Sequence, residues 1–297
     1  MAEQQAAAAI PPEDLDSASA GAEQTAQRQA APQTLGTAIV VTSGKGGVGK
    51  TTSTANIGAA LALRGRSVCL IDADVGLRNL DVVLGLENRV SRHFLDVIEK
   101  KCELDDALVK DKRVPSMMLL PAAQTREKDD VRTADMVALV EELRKRFDYV
   151  LIDSPAGIEM GFKNAVAGAQ RAIVVTTPEV SAVRDADRVV GLLPKGIEVQ
   201  LIVNRLRPQL VRRGKMLSVA QVDEILRLPL LGVVPDEPEV VVATNRGEPV
   251  SLDPSSRTGE AYRRAVARLE GEQVEIEDYS AEGGFFEKLA AWIGGRR

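Results

Sequence analysis

Histidine occurs once in this chain, at His93, and cysteine twice, at Cys69 and Cys102. One imidazole cannot build a zinc site, and two cysteines without ligand spacing do not supply one. All three read as structural, His93 on a surface or a helix face. A basic excess is also missing. The formal net charge is −5, which argues against a protein held to nucleic acid by bulk charge. No apolar run approaches the roughly 20 residues that cross a bilayer. Aromatic residues are only 3% of the chain. What remains is 297 residues with an ordinary apolar fraction of 44%, enough to bury one substantial core and carry a tail.

Residues 1–36 stand apart as that tail. They are rich in Ala, Gln, Pro and acidic residues and nearly lack aromatic and β-branched side chains. Such a segment cannot bury enough apolar surface to offset its ordering entropy, so disorder is expected. A plastid transit peptide is the alternative for an Ala-rich leader. Its charge is wrong for that, with Glu3, Glu13, Asp14, Asp16 and Glu23 against Arg28. It has no secretory apolar region either.

The most informative stretch follows it. Gly44 and Gly49 frame four residues, then Lys50 and Thr51 follow, satisfying G-x-x-x-x-G-K-[ST]. Glycines let backbone N–H groups crowd around a triphosphate where a side chain would block the approach. Lys50 is placed to reach the β- and γ-phosphates, and the Thr51 hydroxyl to ligate Mg²⁺. Lys45 is surplus to the pattern, a second fixed cation that suggests another charge to be met, on a second subunit. Ile39 to Thr42 reads as a buried strand and Thr51 to Leu63 as a helix, the order an anion site needs. A lone disulfide between Cys69 and Cys102 does not suit the compartment in which such a loop works.

The body alternates strand and helix in the manner of a parallel sheet with crossovers. Further strands are expected at Ser67 to Asp72, Met117 to Leu120, Tyr149 to Asp153, Arg171 to Thr176, Val199 to Val203 and Leu230 to Val234. Helices are expected at Ala134 to Arg146 and near 181–193, 218–227 and 258–269. Ligands in such sheets sit beyond the carboxyl ends of the strands. Asp72, Asp74 and Asp153 fall there, where a carboxylate after a phosphate loop holds Mg²⁺ or its waters. Any one of them alone also reads as a capping or turn aspartate.

These motifs resemble the deviant Walker A (ParA/MinD) family of ATPases from about Ala38 to the C-terminus. Gly44, Lys45, Gly46, Gly47, Val48, Gly49, Lys50, Thr51 and Thr52 carry the resemblance. Residues 76–81, 153–159 and 177–188 narrow it to the branch that sets the division site, and 162–166 and 203–208 look most like its cyanobacterial and plastid members. The resemblance implies a P-loop NTPase fold, a mostly parallel central sheet flanked by helices. It implies ATP and Mg²⁺ sandwiched between two subunits, with Lys45 reaching the partner's phosphates as an arginine finger does. Lys45, Lys50 and Asp74 would then be catalytic, Asp74 positioning the attacking water. Thr51, Asp72 and Asp153 would serve the metal shell. Asn204 looks like an adenine reader, since a carboxamide can donate and accept; a helix or turn cap is its other reading. Glu179, Ser181, Asp185 and Asp187 would lie on a helix read by a division inhibitor of the MinC kind and a topological regulator of the MinE kind, unless that helix is simply solvated. A DNA or cargo partition ATPase shares the loop but would need a basic surface, and no nucleic acid is expected. Iron–sulfur carriers of the same fold need paired cysteines that this chain lacks. A scaffold holding ATP without turnover is disfavoured by intact Lys45, Lys50, Thr51 and Asp74.

The C-terminus adds a membrane element. The expected division is a tail over 1–36, an ATPase domain over 37–269, an acidic linker over 270–283 and an amphipathic helix over 284–297. Phe285, Phe286, Leu289, Trp292 and Ile293 share one helical face, with Arg296 and Arg297 behind them. An interfacial membrane helix is expected, against the alternative of a terminal helix docked on the core. Two copies on an ATP-bound dimer would raise its avidity. Few basic residues and an internal Glu287 predict weak dependence on anionic lipid. The expected location is the chloroplast stroma and inner envelope face, or otherwise a bacterial cytoplasm and the inner face of its membrane.

Overall fold

The structure, a computed structural model, describes residues 35–124, 131–277 and 279. The expected N-terminal tail up to residue 34 and the C-terminal helix over 284–297 lie outside these residues. Short apolar runs make the strands: β1 (Thr37–Thr42), β2 (Val68–Asp72), β3 (Val109–Lys110), β4 (Met117–Leu120), β5 (Tyr149–Asp153), β6 (Arg171–Thr176), β7 (Glu198–Leu206) and β8 (Leu230–Pro235). They form one sheet in the order β3-β4-β2-β5-β1-β6-β7-β8. Every neighbouring pair is parallel except the β3–β4 edge.

Continuous rather than alternating apolar runs follow from covering both faces of the sheet. Between strands lie α1 (Lys50–Leu63), α2 (Leu80–Val83), α3 (Phe94–Ile98), α4 (Leu104–Ala107), α5 (Thr133–Arg144), α6 (Met160–Ala167), α7 (Val180–Leu192), α8 (Pro208–Arg212), α9 (Val219–Leu226), α10 (Pro238–Asn245) and α11 (Arg257–Leu269). Successive strand residues enter different cores. Ile39 and Val41 join the cluster that holds Ile57 and Leu61 of α1 and Tyr262 and Val266 of α11. Ala38 and Val40 join the one that holds Leu139 and Leu143 of α5 and Phe162 of α6.

The expected strands and the five expected helices are all present, with ends unchanged or moved by up to three residues. β7 runs on to Leu206 and so carries Asn204 within the strand. α10 lacks a helical apolar rhythm because Val240, Val241 and Val242 are consecutive; Pro238 starts it. His93 caps α3, its Nδ1 accepting from the Asp96 backbone N–H at 3.3 Å. Cys69 is fully buried and burial pushes its thiol up, as a structural cysteine requires.

One boundary differs. The stretch from Glu270 to Glu277, expected as linker, lies against the body. Glu270 accepts from Arg64 and Arg66 and Glu272 from Arg64. Arg264 and Arg268 donate to the Glu275 carbonyl at 2.8 Å each. The Tyr279 ring, 2% exposed, lies under the Arg257 guanidinium at 5.0 Å. Acidic composition suggested solvation; arginines just after α1 and on α11 supply partners that a linear reading does not reveal.

Candidate functional site

The carboxyl ends of β1, β2 and β5 come together because these strands are neighbours in register. Val41 pairs with Asp153, and Asp72 pairs with Asp153. β1 runs into the glycine loop, which turns at Gly47 (φ 78°) and at Gly49 (φ 97°), the residue preceding α1. These left-handed positions suit glycine, and the loop ends at the N-terminus of α1, where free backbone N–H groups favour an anion. The Ser43 hydroxyl donates to the Lys45 carbonyl at 2.9 Å and ties the loop's first turn.

Two glycines mark close approaches. A Cβ on Gly49 would stand 2.3 Å from Asn204 Nδ2, and one on Gly44 would stand 2.1 Å from the Asp185 carbonyl oxygen. The loop is therefore wedged between Asn204 of β7 and the backbone of α7. Asn204 donates from Nδ2 to the Val48 carbonyl at 2.8 Å, and its Oδ1 accepts from the Arg205 N–H at 2.9 Å. The carboxamide thus already holds the loop as well as facing a cavity.

Lys50 is buried at the base, and burial lowers its pKa against the opposing pull of Asp153 and Asp74. Asp72 and Asp153 are buried side by side. Burial pushes both carboxyls up, and Asp72 adds repulsion at Asp153. Thr51 and Thr54 donate to Asp153, Thr54 at 3.2 Å. Asp72 accepts three backbone N–H bonds, from Asp74 and Asn79 at 3.0 Å and Leu80 at 3.1 Å. It therefore also orders the loop that carries Asp74. Two carboxyls buried side by side repel when both are ionised; Lys50 offsets this at Asp153, and a hard divalent ion would relieve the pair further.

The surplus Lys45 is half-exposed, and its Nζ lies 3.4 Å from Ser181 Oγ and 4.0 Å from Glu179 Oε2. Glu179, Ser181 and Asp187 are exposed and Asp185 partly so, while Ala182, Val183, Ala186 and Val189 are buried beneath them. The four acidic or hydroxyl side chains expected for partners thus sit on or beside one solvent-facing helix, next to the loop. Phe285, Phe286, Leu289, Trp292 and Ile293 lie outside the described residues.

Several contributors carried weaker signals in the sequence. A cavity of about 250 Å³ opens beside Gly49, lined among others by Thr52, Asn204, Arg205, Pro235, Asp236 and Tyr262. Pro235 and Asp236 could have been found from the strand-end rule applied to β8. Thr54 lies one helical turn after Lys50, whose carbonyl its hydroxyl also reaches at 3.0 Å.

Residues 39–250 match the CobQ/CobB/MinD/ParA nucleotide binding domain. A septum site-determining protein MinD from Synechocystis is 55% identical over 246 residues, 82% of this chain and 92% of that protein. Among solved structures, the MinC:MinD cell division protein complex of Aquifex aeolicus superposes with a TM-score of 0.77 at 49% identity, covering 82% of this chain and 99% of that one. The septum site-determining MinD of Pyrococcus horikoshii, complexed with Mg-ADP, superposes at 0.73 with 30% identity, covering 80% and 97%.

Proposed function

The chain belongs to the CobQ/CobB/MinD/ParA nucleotide-binding family, in its septum site-determining branch, and from that premise we propose that two copies close around ATP and Mg²⁺ and signal through α7. The protein is an ATPase of division-site positioning. The observation that carries the proposal is the packing of Gly44 and Lys45 against α7. A loop that contacts the backbone of a helix cannot accept a triphosphate without that helix registering it.

The donor set fits Mg²⁺. Thr51, Asp72 and Asp153 offer hard oxygens, although among the described residues no group of three or more acidic, His or Cys side chains gathers to hold a metal, at this site or any other. Mg²⁺ is commonly held by one or two such groups, with phosphates and waters completing its shell. When bound, the ion neutralises charge on the β- and γ-phosphates. Thr51 would be a ligand to it, while Asp153 orients the Thr51 and Thr54 hydroxyls. Lys50, already desolvated, places its charge on the phosphates at full strength. Asp74, held at the mouth by the Asp72 carboxylate, positions the attacking water. The adenine sits in the cavity beside Asn204 and Pro235.

Lys45 completes the site of the opposing subunit. Its contacts with Glu179 and Ser181 are solvent-exposed, hence weak, and can be exchanged for phosphate oxygens. Leaving them releases the already exposed Glu179 and Ser181 side chains from Lys45 for a protein partner of the MinC class, and for a regulator of the MinE class. The C-terminal apolar face of Phe285, Phe286, Leu289, Trp292 and Ile293 then binds a membrane as a pair. The Synechocystis relative supports an organism of the photosynthetic lineage, with the protein on the inner face of a plastid envelope or bacterial membrane. A DNA-partition role has less support at a net charge of −5. Sedimentation with vesicles in ATP and in ADP tests the proposal. Retention only with ATP is expected, and equal retention in both would sink it.

A further inference from the structure

Between Val199 and Val222 the chain carries five cations and no acidic residue, in a protein whose net charge is −5. Arg205, Arg207, Arg212, Arg213 and Lys215 are all exposed. Two of them have local work: Arg207 pairs with Asp236 at 2.5 Å, and with Arg205 it lines the cavity beside Gly49. The other three form a compact group at the end of α8 and in the turn after it. Among the described residues, no ion pair or side-chain hydrogen bond engages Arg212, Arg213 or Lys215. Three unpaired cations within four consecutive positions repel one another and gain nothing from the fold.

Their position gives them a use. Val211 of α8, with Leu206 and Pro208, lines an apolar cavity of about 330 Å³ that Ile276 and Tyr279 close from the C-terminal side. Tyr279 is buried there with Leu206 and Val233. Tyr279, the last described residue, therefore lies beside α8. Five residues lie between Tyr279 and Phe285, so the apolar tail stripe begins within about 22 Å of this point even at full extension. That stripe has few cations of its own and an internal Glu287.

We propose that Arg212, Arg213 and Lys215 form a cationic contact for an anionic lipid surface, on the same side of the body as Tyr279, a few residues before the C-terminal apolar stripe. The proposal rests on the membrane reading of that segment and adds to it. The tail supplies apolar insertion, and the body supplies the charge attraction that interfacial helices ordinarily carry themselves. Weak dependence on anionic lipid, expected from the tail alone, is thereby reversed for the whole chain. Duplex DNA fits less well, because stable non-specific binding draws on more phosphate contacts than three side chains make.

The test uses the full chain with ATP and vesicles of phosphatidylcholine, with or without phosphatidylglycerol. One basic side chain near an anionic leaflet contributes about fivefold to partitioning. R212A/R213A/K215A should therefore lose at least roughly tenfold on phosphatidylglycerol vesicles after screening. It should match the unmodified chain on phosphatidylcholine alone and in lipid-free ATP turnover. R212K/R213K, which keeps the charge, should bind as the unmodified chain does. Equal partitioning of the triple variant and the unmodified chain on anionic vesicles overturns the proposal, as does an equal loss on both vesicle types. A loss of DNA retention with vesicle binding intact overturns it in favour of a nucleic-acid surface. An unmodified chain that ignores both vesicle types overturns the membrane reading itself, and this proposal with it.

Discussion

Replacing Gly44 by alanine should disturb α7 more than it disturbs the loop that contains it. The added Cβ would stand 2.1 Å from the Asp185 carbonyl carbon and oxygen and 2.7 Å from the Ala186 nitrogen. All three are backbone atoms of a helix, so no side-chain rotation relieves them. Ordinary contact begins near 3.4 Å, so the helix must shift by about 1 Å or the loop must open. Forced overpacking of this kind costs about 1–3 kcal/mol. Gly47→Ala is the control: a Cβ there meets nothing within 4 Å, but the residue has φ +78°, a backbone penalty of about 1 kcal/mol. Urea unfolding of both variants, together with binding of an inhibitor of the MinC class, separates the two effects. Gly44→Ala should lose both stability and partner binding, whereas Gly47→Ala should lose nucleotide affinity but keep the partner surface in place. Wild-type stability and partner binding in Gly44→Ala would refute the coupling of loop and helix.

The buried carboxyl pair should make the nucleotide-free protein pH-sensitive. Asp72 is pushed up to about 6 and Asp153 to about 7 from 3.8, so the folded state keeps protons that the unfolded chain releases. Their contribution to stability is present at low pH and is lost as pH rises through that window. Denaturation at fixed salt should show a fall that flattens in Asp153→Asn; an unchanged slope would count against the pair. Mg²⁺ must displace those protons, so Mg²⁺-nucleotide affinity should rise between pH 6 and 8, with protons released in calorimetry. Asp153→Asn should weaken that affinity by about 10-fold or more, and undiminished affinity would remove Asp153 from the metal shell. Tyr262→Phe deletes the hydroxyl bonded to Ser53 at 3.0 Å in the core, and should cost about 1 kcal/mol in urea unfolding with turnover retained.

How legible this molecule is depends on how local each signal is. The loop, the strand and the helix that follow one another from Ile39 to Leu63 are readable because strand, turn and helix chemistry are adjacent in the chain. The carboxylates at Asp72 and Asp153 are readable as strand ends, but their side-by-side register is not. It comes from β5 inserting between β1 and β2, a choice of topology rather than of local propensity. Asn204 signals a polar group after a buried run; its role in pinning Val48 needs the fold. The docking of Glu270 and Glu272 on Arg64 and Arg66 joins residues about two hundred positions apart, and nothing in an acidic stretch announces it. Lys45 is the clearest surplus in the sequence, and the structure adds its resting place on Glu179 and Ser181.

The central claim is that Lys45 acts on the opposing subunit, and mixing two inactive variants tests it most directly. Lys45→Ala keeps Asp74 in its own site, while Asp74→Ala keeps a Lys45 to lend. Each alone should hydrolyse ATP negligibly. Mixed in equal amounts, random pairing of a two-fold dimer should restore up to about a quarter of wild-type turnover, because half the dimers then hold one complete site. Turnover in the mixture no greater than in the separate samples would contradict the account and return Lys45 to its own subunit.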